Sequence, residues 1–202
     1  NDKGFFVMIE GSQIDWCGHA NDIACAMAEM DDFAKSIETA KAYVDKNPDT
    51  ILVITADHST GGLTIGAHGQ YKWGTDIIKG VKATAGTLTK LLMGSDNLKT
   101  VWQANTRIEF TTENEIKLKQ AKAMGEKTLN LAVKSIINDL SFTGWTTGGH
   151  TASDVQVFAY GKNSDDFIVI AFFIHHIINL VHFQLEQLLL LQVINLIPQL
   201  VM

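Results

Sequence analysis

Two short apolar runs bracket one long amphipathic stretch, and each run ends in residues of the kind that bind metals. Residues 5–9 (FFVMI) stop abruptly at Glu10, and residues 50–55 (TILVIT) lead into Asp57 and His58. Between them, Ile23, Met27, Met30, Phe33, Ile37, Ala40 and Val44 recur at spacings of three and four, which predicts a helix over 22–45. Asn21 or Asp22 can cap its start, and Asn47-Pro48 stops it. A strand, a helix and a strand joined this tightly form a βαβ unit. Its strands should be parallel with a right-handed crossover, so both would end at one edge of the sheet. Ligands of open α/β sheets gather at that carboxyl edge.

Six residues are candidate metal ligands: Glu10, Asp15, His19, Asp57, His58 and His150. Carboxylate and imidazole together suit zinc, and a few such groups with an open position make a catalytic site. Asp15 and His19 lie four apart in a polar, glycine-containing stretch, 12–21, that reads as a loop or irregular turn. His150 stands alone at the end of the turn-rich segment FTGWTTGGHT, 142–151. Singly, each residue has an ordinary explanation. A lone histidine is more often a satisfied core or surface residue, and an acid at a strand end often caps the next helix. Asp57-His58 is the stronger signal, because a buried pair at the end of so apolar a strand costs several kcal/mol without a partner. His68, His175, His176 and His182 take the ordinary reading, and core packing explains Trp16 and Trp145 as well as substrate contact does.

The chain divides into a βαβ core over 1–62, an insert over 63–144, a return to the core over 145–166 and an apolar tail over 167–202. The insert is too long for an unstructured loop. It carries helical patterns at 76–82, 87–93 and 113–140, with Thr112 and Glu115 as a capping box and Gly125 as a break. It reads as an inserted subdomain or lid, or as a plain covering layer. Residues 155–160 read as a strand. In the tail the only charge is Glu186. Three readings compete there: a packed helix, a membrane segment, and out-of-frame sequence.

A chain of 202 residues with 46% apolar residues is enough for one domain with a real core. Its net charge of −6 leaves no nucleic-acid footprint. The insert is basic, with eleven Lys/Arg against seven Asp/Glu, and the remainder is acidic, with five against fifteen. That acidic excess includes the candidate ligands, and cations would lower their mutual repulsion, so folding should be metal-dependent. Cys17 and Cys25 form no CxxC pattern, and their spacing lends a disulfide no specific support. The first residue is Asn1, so the chain reads as a piece of something longer.

The segments MIEGSQIDWCGHAND, TADHSTGG and GGHT followed by VFAYG resemble, in order, the C-terminal half of a bacterial alkaline phosphatase, over about residues 4–166. The resemblance implies an α/β fold with a mainly parallel sheet flanked by helices in a three-layer sandwich, its N-terminal part missing. It implies hydrolysis of phosphate monoesters through a phosphoserine intermediate, with two zinc ions and one magnesium ion. Asp15, His19 and His150 would hold the first zinc, Asp57 and His58 would sit on the second, and Glu10 would bind magnesium. The insert resembles that of marine bacterial members, where it reaches over a neighbouring subunit, and Trp145 matches an aromatic near their site. A homodimer and a periplasmic or secreted location follow from the same resemblance.

The family's nucleophilic serine sits in an Asp-Ser-Ala setting that does not occur here, and the only arginine is Arg107, inside the insert. The serine is therefore expected upstream, and this chain alone should be inactive and poorly soluble. The alternative is a zinc-binding, non-catalytic fragment or degenerate relative. A related metallohydrolase with another nucleophile, such as a sulfatase or phosphodiesterase, is a third reading.

Overall fold

The structure is a computed structural model that describes residues 3–167. Along them run α1 (Ser12–Ala20), α2 (Ile23–Lys46), β1 (Ile51–Ile54), β2 (Ser59–Thr60), β3 (Leu63–Ile65), α3 (Thr75–Lys79), α4 (Ala85–Met93), α5 (Leu98–Asn105), α6 (Thr112–Ala123), α7 (Glu126–Ser141), β4 (Thr143–Trp145), β5 (His150–Thr151) and β6 (Phe158–Gly161). Residues 168–202, nearly all of the apolar tail, lie outside the described residues, so the readings of that tail remain expectations. No helix among the described residues is long and apolar enough to cross a membrane.

The strands pair as nested antiparallel couples: β1 with β6, β2 with β5, and β3 with β4. The chain runs out along β1–β3 and returns along β4–β6. Its outgoing and returning halves are zipped together, with the helical segment from α3 to α7 as the loop of the zipper. The parallel pairing expected of residues 5–9 and 50–55 is not among these couples. A strand exists only where a neighbour accepts its ladder. β1 takes the returning β6, with Ile51 opposite Gly161 and Ile54 opposite Phe158. Residues 5–9 have no paired strand among the described residues and are exposed, Phe6 by 93% and Met8 by 77%.

The main core lies in the helical layer. Leu88, Leu92, Trp102, Leu118, Leu129 and Val133 are all fully buried. Each burial contributes about 1.5–3 kcal/mol. On α7, Leu129, Ala132, Val133, Ile136 and Ile137 are buried at the three-and-four spacing of one helical face. Gly125, with φ +105°, separates α6 from α7 as its position suggests. The cap of α6 is Thr111, one residue earlier than the expected Thr112, and its hydroxyl accepts from the Asn114 N–H at 3.1 Å. Glu115 is left free to pair with Lys119. α5 was not anticipated, although Leu98, Val101 and Trp102 share one face of it and Asn97 caps its start.

Asp22 joins this layer to α2. One carboxylate oxygen accepts from Cys25 N–H at 3.2 Å and caps α2, as expected. The other accepts from Ala85 N–H at 2.6 Å, at the first turn of α4. Asp22 is buried, and it satisfies free N–H groups of two helices at once.

Candidate metal centre

Residues 12–21, expected to be a loop, are mostly the helix α1. It is only nine residues long and ends at Asn21, which sits in the left-handed region with φ 52°. Its helical spacing puts Asp15 and His19 on one face. Gly18 lets this helix lie against β2, since a Cβ there would come within 3.1 Å of the Thr60 side chain and carbonyl. The chain then turns straight into α2, and that reversal brings Cys17 and Cys25 together. They form a disulfide with their Cα atoms 5.4 Å apart, a pairing for which their spacing alone gave no specific support.

The nested strands bring in the rest. Thr60 lies opposite His150 in the β2–β5 couple, and Ser59 opposite Thr151. Asp15 Oδ2 lies 3.5 Å from His19 Nε2, and Asp15 Oδ1 lies 4.0 Å from His150 Nε2. Asp15, His19 and His150 each offer one ligand atom, all within 4.8 Å of one another. Their side chains are 36%, 40% and 52% exposed, so a small ion can reach them from solvent. The His58 ring stacks on His150 at 3.5 Å, and Asp57 Oδ2 lies 3.2 Å from His58 Nε2. Five of the six candidate ligands therefore gather at one place. Glu10 does not join them; it lines a separate polar groove with Ser12, Glu29, Asp32 and Ser36.

Hydrogen bonds decide which nitrogen each ring can offer. His19 Nδ1 is 2.7 Å from the Gly148 carbonyl, which can only accept, so Nδ1 carries the proton. In the neutral ring the Nε2 lone pair then faces the Asp15 carboxylate. Two electron-pair donors turned on each other repel unless a cation lies between them. One carboxylate and two imidazoles, with the far nitrogen of one ring already engaged, is a donor set that zinc favours.

The sequence model of the alkaline phosphatase family matches residues 1–197. The chain belongs to the alkaline phosphatase family. It is 45% identical over 168 residues to alkaline phosphatase 3 of Bacillus subtilis, and 39% identical over 169 residues to alkaline phosphatase 4 of the same organism. Those matches take in 81% and 83% of this chain but only 36% of each relative, so the chain spans about a third of their length. Among solved structures, the cold-active alkaline phosphatase of a psychrophilic Shewanella superposes with a TM-score of 0.80 at 46% identity, over 83% of this chain and 42% of that one. The alkaline phosphatase of Thermus thermophilus, at 22% identity and a TM-score of 0.61, shows the same fold. The chain is thus an α/β part of an alkaline-phosphatase-like fold.

Three features of the site carry no sequence signal of their own. The Gly148 carbonyl is a backbone group, and the disulfide depends on the α1–α2 reversal. The third is the Thr60 hydroxyl, which donates to Asp15 Oδ1 at 2.5 Å and lies 3.2 Å from His58 Nδ1.

Proposed function

We propose that this chain is the zinc-holding part of an alkaline phosphatase that hydrolyses phosphate monoesters through a phosphoserine intermediate, with the serine supplied by sequence outside these 202 residues. The convergence of Asp15, His19 and His150 carries the reading. These three would hold one zinc ion. Asp57 and His58 would contribute to a second, and Glu10 to a magnesium ion. Zinc bound there supplies Lewis-acid stabilisation of a phosphoryl oxygen and lowers the pKa of bound water. The chain's own part is to place the ligands. α1 carries Asp15 and His19 as one rigid unit, Gly148 turns His19, and the β2–β5 couple delivers His150. Each imidazole must be neutral to bind, so acid should release metal and activity together.

The Cys17–Cys25 disulfide supports a periplasmic or secreted setting, where such bonds persist. The homodimer and the reach of the basic helical layer over a neighbouring subunit remain part of the same proposal. A second reading has an observation behind it as well: the short span of the chain and its lack of an Asp-Ser-Ala segment favour a zinc-binding piece with no turnover of its own.

One pair of measurements tests both readings: zinc content, and hydrolysis of a chromogenic phosphate monoester at alkaline pH. In the full-length protein, His150→Ala should lose both zinc and turnover, and the 202-residue chain alone should bind zinc without turnover. Unchanged zinc content in His150→Ala would remove the proposed centre. Turnover by the chain alone would show that no serine from elsewhere is needed.

A further inference from the structure

Thr60 touches all three segments that build the site. Its backbone pairs with His150 across the β2–β5 couple. Its methyl and Cβ pack on the α1 backbone at Gly18. Its hydroxyl stands between Asp15 Oδ1, at 2.5 Å, and His58 Nδ1, at 3.2 Å. A hydroxyl has one proton to give and two lone pairs to receive with. An ionised carboxylate can only accept, so the Thr60 proton goes to Asp15. Towards His58 the hydroxyl can then only accept, and the proton of that contact must sit on His58 Nδ1. The chain of bonds has one direction: His58 Nδ1–H donates to Thr60 Oγ1, and Thr60 Oγ1–H donates to Asp15 Oδ1.

We infer that Thr60 is a positioning residue that sets the tautomer of His58 and the orientation of Asp15 through one hydroxyl, so that a single side chain prepares a ligand of each proposed zinc ion. The consequence at His58 is specific. With the proton on Nδ1, the lone pair is on Nε2, the atom that lies 3.2 Å from Asp57 Oδ2. Asp57 Oδ2 and the His58 Nε2 lone pair are then two donors side by side, able to face one cation. At Asp15, the hydrogen bond occupies a lone pair of Oδ1 and leaves Oδ2 turned toward His19 Nε2. Partners of this kind, one bond removed from the metal, typically govern affinity by 10–100-fold.

The inference rests on Asp15 and His58 being zinc ligands, so the test includes His150→Ala as a check on that reading. Zinc affinity of the full-length protein would be measured by competition with a chromogenic chelator, alongside the melting temperature of the metal-free form. Thr60→Val removes the hydroxyl and keeps the shape; Thr60→Ser keeps the hydroxyl and removes the methyl. The expected result is a loss on the order of 10–100-fold in zinc affinity for Thr60→Val, and a value within a few-fold of the parent for Thr60→Ser. Ring-nitrogen chemical shifts of metal-free protein at alkaline pH should show His58 protonated on Nδ1 in the parent and in Thr60→Ser, but not in Thr60→Val. Should Thr60→Val fail to fold, Thr60→Ala makes the same comparison without placing a methyl against Asp15. Parent-like zinc affinity in Thr60→Val, with zinc lost in His150→Ala, would overturn the role of Thr60 and leave the metal centre standing. Equal losses in Thr60→Val and Thr60→Ser would also overturn it, since packing on Gly18 would then be the cause. Parent-like affinity in all the variants would sink the metal centre itself.

Discussion

The helical layer and the ligand corner are held together by different physics. In the layer formed by α3 to α7, large side chains close on themselves, and Trp102, Leu88, Leu92, Leu118 and Leu129 leave no surface to water. The indole N–H of Trp102, buried within the layer, is satisfied locally, since Trp102 Nε1 donates to the Ile108 carbonyl at 3.1 Å. In the corner made by α1, β2 and β5, no candidate ligand is buried, and each strand has only two residues. Directed bonds do the holding there: a disulfide, a carbonyl on His19, a hydroxyl between Asp15 and His58. The layer also reaches into the corner. Lys134 Nζ donates to the Ala20 carbonyl at 2.6 Å, and Asn138 Nδ2 donates to the Asn21 carbonyl at 3.1 Å, at the end of the ligand helix. Burial makes a self-supporting unit; the exposed corner borrows its rigidity from one.

The sharpest way to break this contrast is to damage the layer. Trp102→Ala should lower the unfolding free energy by about 3–5 kcal/mol. If the layer stands by its own packing, denaturant titration should give the same loss with and without zinc. A loss that depends on zinc would show that the two regions share their stabilisation. Removing the disulfide should act on the other side. Replacing both Cys17 and Cys25 by Ser opens a loop of eight residues, which costs about 2.5 kcal/mol in the chain-entropy account. Hydrogen exchange should quicken along α1 and leave α7 as it was. Equal quickening in both would erase the distinction.

The smallest expected effect lies at the edge where α2 meets β6. The hydrogen bond from the Tyr160 hydroxyl, and then the one from Lys41, hold the Asp45 carboxyl below its usual value of 3.8. Lys162 does the same for Asp49. A carboxyl lowered by folding stabilises the fold above its unfolded value, and that contribution disappears as pH falls through the folded value. Acid should therefore loosen β6 before it touches the helical layer. Amide shifts of Phe158–Gly161, followed from neutral pH into acid, should move earlier than those of α7. In Asp45→Asn that early step should shrink. Simultaneous movement of both sets would refute the ordering.

Much of the helical structure was legible because its signals are local. The period of α2, its cap at Asp22, and the break at Gly125 can each be read within a few residues. Asp15 and His19 were recognisable as a pair, although α1 was not seen as a helix. Its nine residues include Gly18 and fully bury only one apolar side chain, so no apolar stripe marks it. The strand pairings were hidden for another reason: the partners of 51–65 lie about a hundred residues later, and no pattern within a strand names a distant neighbour. Residues 5–9 show the converse, a strand-like composition without a paired strand among the described residues. Thr60 was invisible because threonine is at home in any β-segment, and its importance comes only from what stands on either side of it.

The bond that orients His19 also sets a timetable. Its acceptor, the Gly148 carbonyl, lies 129 positions further along the chain. A ribosome adding about 5–20 residues per second needs roughly ten seconds to cover that distance. Throughout that interval the nascent chain holds Asp15 and a freely turning His19, with neither Gly148 nor His150 yet made. Cys25 emerges only eight positions after Cys17, so the covalent clamp on α1 has its components long before the proposed ligand set is complete. On the proposed metal centre, capture of the ion would come late, after the returning strands have been synthesised.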